Sequence, residues 1–141
     1  MLELQNKIST IIDTITTQYP KTLAIYLFGS TVTGKTNTTS DIDLAVLFED
    51  PVNSYTLWNT AQDLAISLNQ DVDLIDLKQA STVLAFEIIH SSKLIYCKDK
   101  DTVSLFENRI YAEYLRLQER LVDLYQAAKE RGGIIYGQCH C

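Results

Sequence analysis

Apolar residues recur along this chain with two different periods, and the switches between them lay out the elements. Leu4, Ile8, Ile11, Ile12 and Ile15 fall at three- and four-residue spacings, which predicts an amphipathic helix over residues 2–18, ended by Tyr19-Pro20. Two short runs rich in Leu, Ile, Val and aromatics follow, Leu23 to Phe28 and Ile42 to Phe48, each bounded by turn residues. They predict two buried strands. After a turn at Glu49-Asp50-Pro51, the set Leu57, Trp58, Ala61, Leu64, Ala65 and Leu68 predicts a second helix from Tyr55 to Leu68, with Trp58 in the core. The stretch Asp71 to Leu77 reads as a third strand, with Asp71, Asp73, Ile75 and Leu77 on one face and Val72, Leu74 and Asp76 on the other. A third helix over Ala80 to Ile89 is expected to bury Val83, Leu84, Phe86 and Ile88. Lys93 to Lys98 predicts a fourth strand at a sheet edge, because its terminal lysines discourage further pairing. Val103, Phe106, Ile110, Tyr114, Leu117, Leu121 and Leu124 then alternate spacings of three and four, the core line of a long final helix over about 101–131 that ends near Gly132-Gly133. A second line, Tyr111, Leu115, Val122 and Tyr125, leaves that helix apolar on more than one side, a face open to a partner.

A chain of 141 residues suits one domain, here 1–133 followed by a short tail 134–141. The formal charge of −6 and a pI near 4.8 argue against a surface built to grip nucleic acid nonspecifically. They leave nucleotide binding open, because a bound metal reverses the local charge. No apolar stretch is long enough to span a bilayer, and the N-terminus lacks the basic-then-apolar layout of a signal peptide. Three cysteines, an odd count, fit a reducing compartment, so the expectation is a cytoplasmic protein without a membrane partner. Cys139, His140 and Cys141 stand consecutively and have no second ligand pair elsewhere, which argues against a tetrahedral metal site in the tail.

The chemistry concentrates between the first two strands. The first run ends at Gly29-Ser30, and the second opens with Asp41-Ile42-Asp43. Alternating strand positions put Asp41 and Asp43 on one face, where two carboxylates repel each other and are costly to bury unless a cation joins them. A divalent ion satisfies both, and the Gly-Ser turn offers backbone N–H groups and a hydroxyl to phosphate. The connection is too short for a comfortable parallel crossover, so the strands are read as antiparallel, which brings both groups to one end of the sheet. The segment Gly29 to Thr36 also matches the phosphate-loop pattern GxxxxGK[ST]. That pattern needs a helix opening at Lys35-Thr36, and Asn37 to Ser40 lead instead into a strand, so the reading is set aside and Lys35 is expected to face solvent. His90 falls at a helix C-terminus, where a cation is favoured, and Asp76 suits a turn or cap.

Gly29-Ser30, ten residues, then Asp41-x-Asp43, set in YLFGS and SDIDLAVL, resembles the signature of the DNA polymerase beta-like nucleotidyltransferase superfamily, and within it the minimal nucleotidyltransferase branch. The resemblance covers most of the chain and weakens after about Asp101. It implies an α/β (α+β) nucleotidyltransferase fold, a mixed sheet of about four strands flanked by helices and closed by the long C-terminal helix. It implies a third carboxylate at Asp73, lying nearest the acceptor hydroxyl and able to act as base. Two Mg²⁺ ions would be held by Asp41, Asp43 and Asp73, with Gly29 and Ser30 on the triphosphate of ATP. Members of this branch are encoded beside HEPN-domain RNase toxins and act as their antitoxins. The implied reaction is transfer of AMP from ATP to a tyrosine hydroxyl of the toxin, with release of pyrophosphate, inside a hetero-oligomer and without direct contact to nucleic acid. Two alternatives stay open: an antitoxin acting by binding alone, and a nucleotidyltransferase for a small molecule, for which so short a chain has little material to enclose the acceptor.

Overall fold

The computed structural model describes residues 2–29 and 41–131. Among them the order of elements is α1 (Leu2–Gln18), β1 (Thr22–Phe28), β2 (Ile42–Phe48), α2 (Ser54–Leu68), β3 (Val72–Asp76), a 3-10 turn (Leu77–Gln79), α3 (Thr82–Ser91), β4 (Lys93–Cys97) and α4 (Lys100–Glu130). The strands form one mixed sheet in the order β3-β2-β1-β4. β1 pairs antiparallel with both β2 and β4, and β2 pairs parallel with β3. The expected antiparallel neighbours and the edge position of Lys93–Cys97 are therefore both present.

β1 and β2 are buried along almost their whole length because helices cover both faces of the sheet, as unbroken apolar strands require. On one face Ile25, Leu27, Leu44 and Val46 pack with Ile11 and Ile15 of α1 and with Leu57, Leu64 and Leu68 of α2. On the other, Ala24, Tyr26, Ala45 and Leu47 pack with Ala85 and Ile88 of α3 and with Val103, Phe106 and Ile110 of α4. α2 is held at its start by Asn53, whose Oδ1 accepts from the backbone N–H of Tyr55 at 2.8 Å, and it stops at Asn69 in the left-handed conformation.

Several expectations about burial need correction. Trp58 is 59% exposed rather than core, because the inward arc of α2 is already filled by Leu57, Ala61, Leu64 and Leu68. Val83 and Leu84 are exposed for the same reason, since Ala85 and Ile88 supply the face of α3 that meets the sheet. The core line of α4 runs only as far as Ile110; Tyr114 and Leu117 are half-buried, and Leu121 and Leu124 are exposed, as are Leu115, Val122 and Tyr125 of the second line. The helix is longer than the surface that receives it. β3 is shorter than expected and ends at Asp76, whose Oδ1 accepts from the backbone N–H of Lys78 at 3.1 Å and caps the 3-10 turn, as its sequence position suggested.

Candidate active site

Three elements meet at one end of the sheet. β1 ends there, and β2 and β3 both begin there, because β2 runs against β1 and β3 runs with β2. The register sets Phe28 opposite Asp43 and Asp43 opposite Asp73. A direct cross-strand pair holds two carboxylates on the same face of neighbouring strands about 5 Å apart at Cβ. Asp41 lies one residue ahead of β2 and is exposed, and the backbone N–H of Ile42 donates to the carbonyl of Asp71 at 2.9 Å, tying the two strand starts together. All three aspartates expected at the site, Asp41, Asp43 and Asp73, are thus gathered at one edge.

Electrostatics marks Asp43 as the centre of the group. Burial pushes its carboxyl above the ordinary carboxylate range, and the charges of Asp73 and then Asp41 push it further the same way. Among the described residues no lysine or arginine forms an ion pair with Asp43 or Asp73; the ion pairs are Lys7 with Glu3, Lys21 with Asp50 and Arg109 with Glu113. Such a cluster of like charge is stable only if something positive joins it. Its donors are all carboxylate oxygen, the chemistry preferred by Mg²⁺. Among the described residues no three His, Cys, Asp or Glu side chains form a ready-made ion-holding group, so the described part of the edge leaves coordination positions open to further oxygen ligands. Phosphate oxygens would supply them.

Gly29 has a role here that its place in the motif did not reveal. Its φ is +84°, a conformation that L side chains rarely adopt, and a Cβ there would run into the Asp43 carboxylate oxygen and stand 3.2 Å from Asp43 Cγ. The glycine therefore makes room for the Asp43 carboxylate as well as turning the chain out of β1. Ser30 and Lys35, together with the phosphate-loop reading of Gly29 to Thr36 and the Cys139-His140-Cys141 tail, lie outside the described residues.

Two features on the same face of the sheet escaped the sequence. Tyr26 is buried, and its hydroxyl donates to Glu107 Oε2 of α4 at 2.7 Å; burial first and this bond second push its pKa far above the usual phenol range. It pins α4 to β1. His90 lies parallel to Phe86 with ring centroids 5.5 Å apart, and Phe86 stacks on Tyr114 of α4 at 3.8 Å. The four-residue spacing of Phe86 and His90 carried a hint of this contact, but the partner on α4 did not.

Comparison with known proteins agrees with this geometry. Residues 9–101 match the family model described as polymerase beta, nucleotidyltransferase. A protein adenylyltransferase MntA of Shewanella oneidensis is 40% identical, the match covering 77% of each chain, and one from Aphanizomenon flos-aquae is 29% identical over 76% of this chain and 82% of its own. Among solved structures, a toxin-antitoxin with AMP-PNP superposes with a TM-score of 0.76 at 35% identity, covering 86% of this chain and 98% of that one. A complex of tri-AMPylated Shewanella oneidensis HEPN toxin with its MNT antitoxin gives 0.73 at 34% identity, covering 89% and 98%. With the matched model spanning both the Gly29 turn and the three aspartates, the chain belongs to the polymerase beta nucleotidyltransferase family, on the branch that holds these antitoxins.

Proposed function

We propose that this chain is an antitoxin that transfers AMP from ATP to a tyrosine hydroxyl of a HEPN RNase toxin and thereby neutralises it. The observation that carries the reading is the pairing of Asp43 with Asp73 beside Gly29, two carboxylates with no ion-pair partner among the described residues, in a chain 40% identical to a named protein adenylyltransferase. In the reaction the tyrosine oxygen bonds to the α-phosphorus, the bond from that phosphorus to the bridging oxygen of the β-phosphate breaks, and pyrophosphate leaves. The tyrosine proton passes to a base, for which Asp73 is the candidate: it is exposed at the strand start, whereas Asp43 is half-buried. Asp41, Asp43 and Asp73 would hold Mg²⁺, which when bound offsets the charge of the phosphates and of the attacking oxygen. Gly29 keeps the backbone close to the Asp43 carboxylate and so presents the edge to the triphosphate. Ser30, next in the chain, would add a hydroxyl donor to that triphosphate.

AMP on a toxin tyrosine adds bulk and a negative phosphate where RNA must approach, which opposes RNA binding by sterics and repulsion. Mass spectrometry of the co-expressed toxin is expected to show mass gains in multiples of one adenylyl group, absent when Asp41→Asn replaces the unaltered chain. A toxin that stays unmodified yet is neutralised by that variant would show inhibition by binding alone, and the enzymatic reading would be wrong.

A further inference from the structure

α4 is about 46 Å long, and only its first half lies on the sheet. That half is held firmly: Val103, Phe106 and Ile110 are buried, Glu107 accepts from the Tyr26 hydroxyl, and Tyr114 stacks on Phe86. The second half projects from this anchorage as an arm. On it Leu115, Leu121, Val122 and Leu124 are each more than half exposed.

The side chains of the arm are sorted by face. At about 100° per residue, its apolar positions between Tyr114 and Tyr125 fall within an arc of about 180°, interrupted by Gln118. Arg116, Glu119, Arg120 and Asp123 fill the opposite arc. A helix resting on one surface needs an apolar stripe of roughly 100°. An arc nearly twice as wide suits a groove that wraps the helix. The polar arc carries both signs of charge, unlike the lysine- and arginine-rich back of a helix that lies on a membrane.

The likeness to toxin-antitoxin structures indicates whose groove this is. Residues 1–101, up to the end of the matched family model, are less than three quarters of the chain. The likeness covers 86% of the chain in the structure with AMP-PNP and 89% in the complex with tri-AMPylated toxin. Even with all of residues 1–101 counted, it has to reach past Ile110 onto the projecting half of α4. Antitoxins solved with their toxins therefore share the arm, although it carries none of the three aspartates of the site.

We infer that the projecting half of α4 docks the HEPN toxin, seating Leu115, Leu121, Val122 and Leu124 in an apolar groove on the toxin surface. The inference rests on the proposed toxin partner and adds where that partner is held. Docking through an anchored helix fixes the acceptor relative to the carboxylate edge, an orientation that so short a chain has little other material to supply.

The test uses the full chain and its co-expressed HEPN toxin, purified apart and titrated together by calorimetry, with steady-state AMP transfer measured alongside. The double variant Leu115→Glu, Val122→Glu is expected to weaken toxin binding and raise KM for toxin by about thirtyfold or more, the scale of a lost interface anchor. KM for ATP and the thermal midpoint are expected to stay those of the unaltered chain. Leu115→Met with Val122→Ile keeps the stripe apolar and is expected to bind toxin within a few-fold of the unaltered chain. Toxin binding unchanged by the glutamates overturns the inference, as does a loss that ATP binding shares equally. If the glutamates turn a dimer of the chain into a monomer in sedimentation and leave toxin binding unchanged, the stripe holds a second copy instead, and the inference is wrong. A toxin that the unaltered chain binds but never modifies would sink the adenylyl-transfer reading and leave the docking standing. If the unaltered chain does not bind the toxin, both fall.

Discussion

Asp43 and Asp76 lie on neighbouring strands toward opposite ends of the sheet, and both are aspartates that burial pushes above the ordinary carboxylate range. The protein treats them in opposite ways. Asp76 accepts from the backbone N–H of Lys78, and this bond, the Lys78 charge and the Gln79 backbone N–H all pull its carboxyl back toward the ionised form. Asp43 faces Asp73 and Asp41, which add to the cost of burial rather than offsetting it. Among the described residues the same desolvation is answered at one end and left unanswered at the other. A carboxylate with its compensation built in is architecture, whereas one whose neighbours worsen its position is poised for a cation.

The sharpest way to break this contrast is to neutralise each member in turn. Asp43→Asn is expected to lower AMP transfer by about a hundredfold or more, measured as labelled AMP incorporated into toxin, while folding remains intact. Asp76→Ala is expected to do the reverse, keeping the transfer rate within a few-fold and costing about 1–2 kcal/mol in denaturant unfolding through the lost cap. Equal activity losses in the two variants would erase the distinction.

Gly29→Ala comes next in size, because it attacks Asp43 through space. The added Cβ meets the carboxylate and strains a backbone at positive φ, so a loss of about 1–3 kcal/mol in stability is expected together with a fall in activity. Combining it with Asp43→Ala, which removes the carboxylate, should recover part of the stability and none of the activity. Additive stability losses would show that the two residues do not interact.

The smallest effect is on pH. A carboxyl whose folded-state pKa exceeds its unfolded value near 4 takes up a proton on folding between the two, so its contribution to stability declines as pH rises through the raised value. With chelator present, Asp43→Asn should therefore gain thermal midpoint over the unaltered chain as pH is raised from about 4 toward neutrality. Added Mg²⁺ at neutral pH should raise the midpoint of the unaltered chain and not that of the variant. A midpoint difference independent of pH would mean that Asp43 is not under the charge stress described.

What the chain determined by itself was whatever local order can carry. Spacings of three and four located the four helices, and short apolar runs bounded by turn residues located the four strands, of the described residues, because each element carries its buried positions in its own sequence. The interval from Gly29 to Asp41 and Asp43 marked the site, and the shortness of the connection set the antiparallel pairing. What only the tertiary structure decided was register, reach and supply of partners. Asp73 stands opposite Asp43 because β3 pairs parallel with β2, a contact between segments separated by a whole helix. Resemblance pointed to Asp73; nothing in its own neighbourhood did. Trp58 had the spacing of a core residue, but a helix buries only the arc its neighbours can cover, and α2 filled that arc with smaller side chains. α4 kept its apolar period to Leu124, while the surface beneath it stopped at Ile110. Gly29 looked like a residue chosen for a ligand; the fold shows it also makes room for a carboxylate fourteen positions away, a close approach that no local pattern records.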